Sequence, residues 1–137
     1  QQGFSSYDRL ESIRDSLEGW VEPYAAELET EITSGEFTQE VCEEKAARMY
    51  EIWDGQLNDL WGSLEQRLDP AELEPLAAEQ EAWAAWKEEQ VTQAGAGPHE
   101  GYPQAVEEDL AAAELNRDRV YELLDWLDET QETARMG

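Results

Sequence analysis

The sequence predicts an all-α protein, an antiparallel helical bundle of about four helices. Apolar residues recur at intervals of three and four along the whole chain, and no stretch sustains a period of two. Breaker residues near positions 35, 69 and 95–103 divide the periodic runs. The first two connections are short, which favours antiparallel neighbours, and the third is longer.

In the first run Leu10, Ile13, Leu17, Trp20, Tyr24, Leu28 and Ile32 trace one stripe. Ser5 or Ser6 can cap its start, and Ser34-Gly35 ends it. Pro23 has no N–H to donate, so it should kink the helix near Gly19 or split it in two. The second run starts behind Thr38, a suitable cap. It carries Cys42, Ala46, Met49, Trp53, Leu57, Leu60, Leu64 and Leu68 on one face. It stops at Asp69-Pro70, where Asp69 can cap the next helix and Pro70 suits its first position.

The third run presents Leu73, Leu76, Gln80, Trp83, Lys87 and Val91 and ends in Ala94-Gly95-Ala96-Gly97-Pro98, the start of a Gly/Pro-rich loop reaching Pro103. The last run presents Val106, Leu110, Ala113, Arg117, Val120, Leu124 and Leu127, a heptad seam interrupted by one base. Beyond about Thr130 the residues are polar and should fray.

Charge restricts the function classes. Nine Lys and Arg against 34 Asp and Glu give a net charge of −25 and a pI of about 4.1, so the surface repels phosphate backbones and attracts basic proteins. Nucleic acid is therefore not an expected partner. Six Trp and 40% apolar residues distinguish the chain from a disordered acidic tail. Cys42 is the single cysteine, which excludes an internal disulfide or a multi-cysteine metal site and reads as a small buried thiol.

His99 is the single histidine and sits in the Gly/Pro loop, away from any Glu-x-x-His pair or catalytic triad. With no phosphate-cradling glycine loop and no calcium-loop pattern either, neither catalysis nor a metal or other cofactor is expected. No apolar run approaches the roughly 18 residues of a membrane span. The chain opens Gln1-Gln2-Gly3 without Met, as a processed chain would.

Two groups of residues stand out as candidate sites. Trp53 and Trp83 fall on their stripes and read as core. Trp86, near the Gly/Pro loop, and Trp126, flanked by Asp125 and Asp128, are placed to touch a partner. His99 and Tyr102 in the loop join them, because loops project where bundle faces are flat. Asp54, Asn58, Gln80 and Arg119 are polar residues on or beside apolar stripes. They are expected to form a network that fixes helix register, with Arg119 held by Asp54 or a neighbouring acid. The alternative is that they line a ligand cleft.

The run Tyr50-Glu51-Ile52-Trp53-Asp54-Gly55-Gln56-Leu57-Asn58-Asp59-Leu60-Trp61 resembles the lysozyme-inhibitor LprI-like N-terminal domain family. Leu76-Ala77-Ala78-Glu79-Gln80-Glu81-Ala82-Trp83, a Gly loop at Gly101, and Leu115-Asn116-Arg117-Asp118-Arg119-Val120-Tyr121-Glu122-Leu123 follow in family order. The resemblance spans about residues 40–128. It divides the chain into an extra N-terminal helical segment (1–35), an LprI-like domain (36–130) and a frayed C-terminus (131–137). Two departures are visible: many members have paired cysteines where this chain has Cys42 alone, and the common Gly-Gly-Ser loop is here Gly101-Tyr102-Pro103.

The resemblance implies a small helical domain, secreted or attached at the bacterial cell surface. Some members bind and inhibit lysozyme, so it also implies an acidic, non-catalytic protein that engages a basic target. The alternative function is a structural or scaffolding domain of the cell envelope.

Overall fold

The computed structural model describes residues 13–96 and 104–136, with 131–136 described by backbone alone. The described residues form four helices and no strand. Helix α1 contains a π-helical turn, Leu17–Val21, that runs directly into Glu22–Thr33; α2 is Gln39–Arg67, α3 Pro70–Ala96 and α4 Gln104–Met136. Helix α4 thus remains helical past Thr130. Ser5 and Ser6, the expected caps of α1, lie outside the described residues.

The expected irregularity around Gly19 takes the form of the π turn, and α1 is not split. Pro23 cannot donate to the Gly19 carbonyl, and the adjacent Glu22 N–H donates five residues back, to Leu17 O. The wider turn also changes which residues face inward. Leu17, Val21, Ala25, Leu28 and Ile32 are buried, whereas Trp20, expected on the stripe, is 46% exposed.

Local chemistry sets the helix ends. Thr38 Oγ1 accepts from Val41 N at 3.2 Å. Asp69 Oδ1 accepts from Glu72 N at 2.9 Å while Glu72 Oε1 receives the Asp69 N–H at 3.4 Å, a reciprocal capping box behind Pro70. Gly35, with φ of 77°, supplies the left-handed residue that lets the chain leave α1.

Cross-helix pairs fix the directions. Glu31 with Lys45 and Tyr24 with Arg48 run α1 against α2. Arg14 with Asp128 and Glu22 with Arg117 run α1 against α4. Gln80 with Arg119, and Gly95 beside Glu108, run α3 against α4. Helices α2 and α4 are consequently parallel, and they form the most extensive pair in the bundle. Helix α1 packs chiefly on α2 and α3 chiefly on α4, so the outer helices sit on opposite sides of the central pair.

The core follows from that arrangement. Every predicted stripe residue of α2, from Cys42 to Leu68, is buried. In α4 the buried face is wider than one seam, because α2 and α3 both press on it. Val106, Ala112, Ala113, Asn116, Arg119, Val120, Leu123, Leu124 and Leu127 are all buried, while Arg117, predicted on the seam, is exposed at its edge. Among the described residues no helix is long and apolar enough to cross a membrane.

Candidate functional site

Because α3 packs on α4 more than on α2, an open groove of about 1560 Å³ lies between α2 and α3, with α4 as its floor. The predicted stripe of α3 divides: Leu76 is in the core with Leu73 packed on it, while Gln80, Trp83, Lys87 and Val91 are half-buried and line the groove. Helix α2 contributes Tyr50, Asp54, Leu57 and Asn58, and α4 contributes Glu108, Asp109 and Ala112.

The groove is acidic, with one cation among its described lining residues. Asp54, Glu88, Glu89, Glu108 and Asp109 line it against Lys87. The Lys87 ammonium lies 5.3 Å from the centroid of the Tyr50 ring and 5.6 Å from that of Trp83, an arrangement that offsets part of its desolvation. Burial holds its pKa below the ordinary lysine value, with Asp54 and Glu88 pulling the other way. Asp109 is pushed up, first by burial and then by Glu108. Tyr50 is pushed up by burial, then by Asp54 and Asp109. A further positive group entering the groove would meet carboxylates whose negative charge, among the described lining residues, Lys87 alone offsets.

The four polar residues expected to form one network do not. Asn58 Nδ2 donates to Asp54 Oδ2 at 3.3 Å, one turn apart on α2. Arg119 Nε donates to Gln80 Oε1 at 2.8 Å across α3 and α4, and its Nη1 donates to Glu122 Oε1 at 3.1 Å. Its guanidinium also lies 5.7 Å from the centroid of the Trp83 ring. Asp54 is not its partner; the neighbouring acid that holds Arg119 is Glu122, one turn along the same helix. Asp54, Asn58 and Gln80 do line the same cleft.

Trp86 and Trp126 do not form one patch. Trp86 is 46% exposed, on α3 between groove-lining Ala85 and Lys87. Trp126 is half-buried against the core, beyond Arg119 towards the other end of α4. His99 and Tyr102 lie outside the described residues. Trp83, expected in the core, is half-buried: it packs against the core and also forms a wall of the groove.

Two features escaped the periodicity. Asn116 is fully buried, and neither its Nδ2 nor its Oδ1 has a hydrogen-bond partner. Glu22, Arg117 and Tyr121 form a cluster joining α1 to α4. Arg117 Nε sits 3.2 Å from both Glu22 oxygens, and the Tyr121 hydroxyl donates to Glu22 Oε2 at 2.6 Å. Burial and the bond to Glu22 push the Tyr121 pKa up to about 12. Polar residues beside a seam are the available signal for both features, but spacing does not say which one turns inward.

No group of three or more His, Cys, Asp or Glu among the described residues is placed to hold a metal ion. The family described as Lysozyme inhibitor LprI matches residues 33–123, a span that contains α2, α3, most of α4 and every residue lining the groove. Comparison with curated proteins and with solved structures finds no match.

Proposed function

Since the chain belongs to the LprI lysozyme inhibitor family, we propose that it is an extracytoplasmic binding protein for a strongly basic protein target, a lysozyme of the basic animal type first among them. The observation that carries this reading is the acidic groove, which lies wholly inside the matched span.

Lysozyme cleaves its sugar polymer with a pair of carboxyl groups in a cleft. Those carboxyls repel an acidic partner, so the holding contacts must fall on the basic rim while the bundle covers the cleft. A net charge of −25 speeds encounter with such a rim but discriminates little between basic proteins. Discrimination rests on shape and on an anchoring side chain. Trp86 is the exposed aromatic beside the groove, and His99 and Tyr102 are the further candidates that the sequence offers. The action is occupancy of the target's cleft, and no bond is made or broken by this chain.

The test is turbidity loss of bacterial cell walls under a basic lysozyme, with the domain titrated in at low salt and at about 0.15 M, where the Debye length is about 8 Å. An equally acidic unrelated protein serves as control. Inhibition that persists at the higher salt and is absent from the control supports the reading. Inhibition that vanishes, or that the control reproduces, reduces it to nonspecific charge.

A further inference from the structure

On the other side of the central helix pair, where α1 and α4 stand apart over α2, lies a narrower slot of about 450 Å³. Its floor and walls are apolar: Met49 and Trp53 of α2, Ala25 and Ile32 of α1, Leu110 and Ala113 of α4. Its mouth carries carboxylates from both walls, Glu22 and Glu29 on α1 and Glu114 on α4. Half of this slot comes from helix α1, almost all of which precedes the matched span 33–123, so it is a separate surface from the acidic groove.

One end is already built around a cation. The Arg117 guanidinium is gripped by Glu22, with Nη2 to Oε2 at 3.1 Å, and lies 6.0 Å from the centroid of the Trp53 ring and 5.4 Å from that of Tyr121. Glu22 is thereby engaged by Arg117 and Tyr121. Glu29 and Glu114 face the same slot, and their carboxylates have no hydrogen bond or ion pair with any described residue. The slot therefore combines an apolar bed of ligand size with two carboxylates that an incoming cation can neutralise.

We propose that the slot between α1 and α4 binds a small organic ammonium or guanidinium ion carrying an apolar body, the body resting on Leu110 and Met49 and the charged head meeting Glu29 and Glu114. The bed selects against a bare cation, which gains nothing from it. The rim selects against a neutral or anionic molecule of the same shape. Because the walls are two helices bridged at Glu22 and Arg117, the assigned occupant is a free amine and not the side chain of a folded protein.

Isothermal titration at about 0.15 M salt, where long-range attraction to the acidic surface is screened, tests the assignment with hexylammonium as probe. Each buried methylene adds roughly a four-fold gain, so hexylammonium should bind at least about ten-fold tighter than methylammonium. Hexanoate should not bind, and Nα-acetyl-lysine amide should bind more weakly than hexylammonium. Glu29→Gln with Glu114→Gln should weaken binding about five-fold, the range of partly exposed ion pairs. Ala26→Phe, at an exposed position on the slot wall, should abolish it by filling the bed while leaving the melting temperature in place.

Equal affinity for methylammonium and hexylammonium, or no saturable binding, would overturn the proposal. Full binding by Ala26→Phe, or tighter binding of the lysine amide, would overturn the assigned site or occupant. Each readout is independent of lysozyme inhibition.

Discussion

Asn116 offers the sharpest test of the packing. Its side chain is 0% exposed, both amide atoms have no hydrogen-bond partner, and the residues one turn away on α4 (Ala112, Ala113 and Val120) are buried as well. Burying an amide without partners costs about 1–3 kcal/mol. Leucine is close to asparagine in shape and has no polar atom to desolvate, so Asn116→Leu should stabilise the protein by about 1–3 kcal/mol. Asn116→Asp places a charge in the same pocket and should destabilise it by several kcal/mol.

The assay is urea unfolding followed by far-ultraviolet circular dichroism, read as a midpoint shift at constant slope. One outcome would refute the reasoning in an informative way. Arg119 Nη2 is also buried without a partner, three residues along the same helix. If a rotation joins it to Asn116 Oδ1 in solution, Asn116→Leu will lower stability, and a double-mutant cycle with Arg119→Met will show strong coupling.

Arg119→Met should cost about 1–2 kcal/mol in the same assay. It loses the bonds to Gln80 and Glu122, but Glu122 is 60% exposed and rehydrates, which keeps the loss below that of a fully buried pair. Spectrophotometric titration should find a tyrosine ionising at about 12 that Tyr121→Phe removes; because the folded protein keeps that proton after the unfolded chain releases it at the model value of 10.0, this group's stabilisation is present below pH 10 and lost as pH rises through 12. Asp109 is displaced in the same direction from 3.8. The folded state takes up its proton at the higher pH, so stability from this group rises on acidification. Melting temperatures against pH should show Asp109→Asn gaining over the parent at pH 7 and the gap closing as the carboxyl is protonated.

The sequence carried the fold wherever one face met one partner. The α2 stripe from Cys42 to Leu68 is buried throughout, and the caps at Thr38 and Asp69 bond as their residue types suggest. Reading by regular period failed where the geometry departs from a regular α-helix or from a single contact. The π turn beside Pro23 shifts the inward face from Trp20 to Val21. Helix α4 packs broadly on both α2 and α3, so Asn116 and Arg119 go inside while Arg117 stays at the edge.

The acidic groove was visible only as a list of polar residues on apolar stripes. Asp54, Asn58 and Gln80 do converge on it, but the partner of Arg119 depends on the stagger between helices, which periodicity within one helix does not contain. Trp83 reads as core and Lys87 falls on the same stripe for the same reason: a stripe reports a face turned from bulk water, and a groove wall beside the core is such a face.

The binding isotherm of a basic lysozyme at about 0.15 M salt, measured for the parent chain and for two charge-matched variants, tests the proposed use of that groove most directly. Glu88→Lys with Glu89→Lys alters the groove, whereas Glu27→Lys with Glu129→Lys makes the same change of net charge at exposed positions outside both cavities and outside the matched span. The account predicts saturable binding by the parent, a loss of about ten-fold or more in the groove variant as charge pairs at the contact are reversed, and little change in the control variant. Equal weakening in both variants, or no saturable binding by the parent, would contradict it.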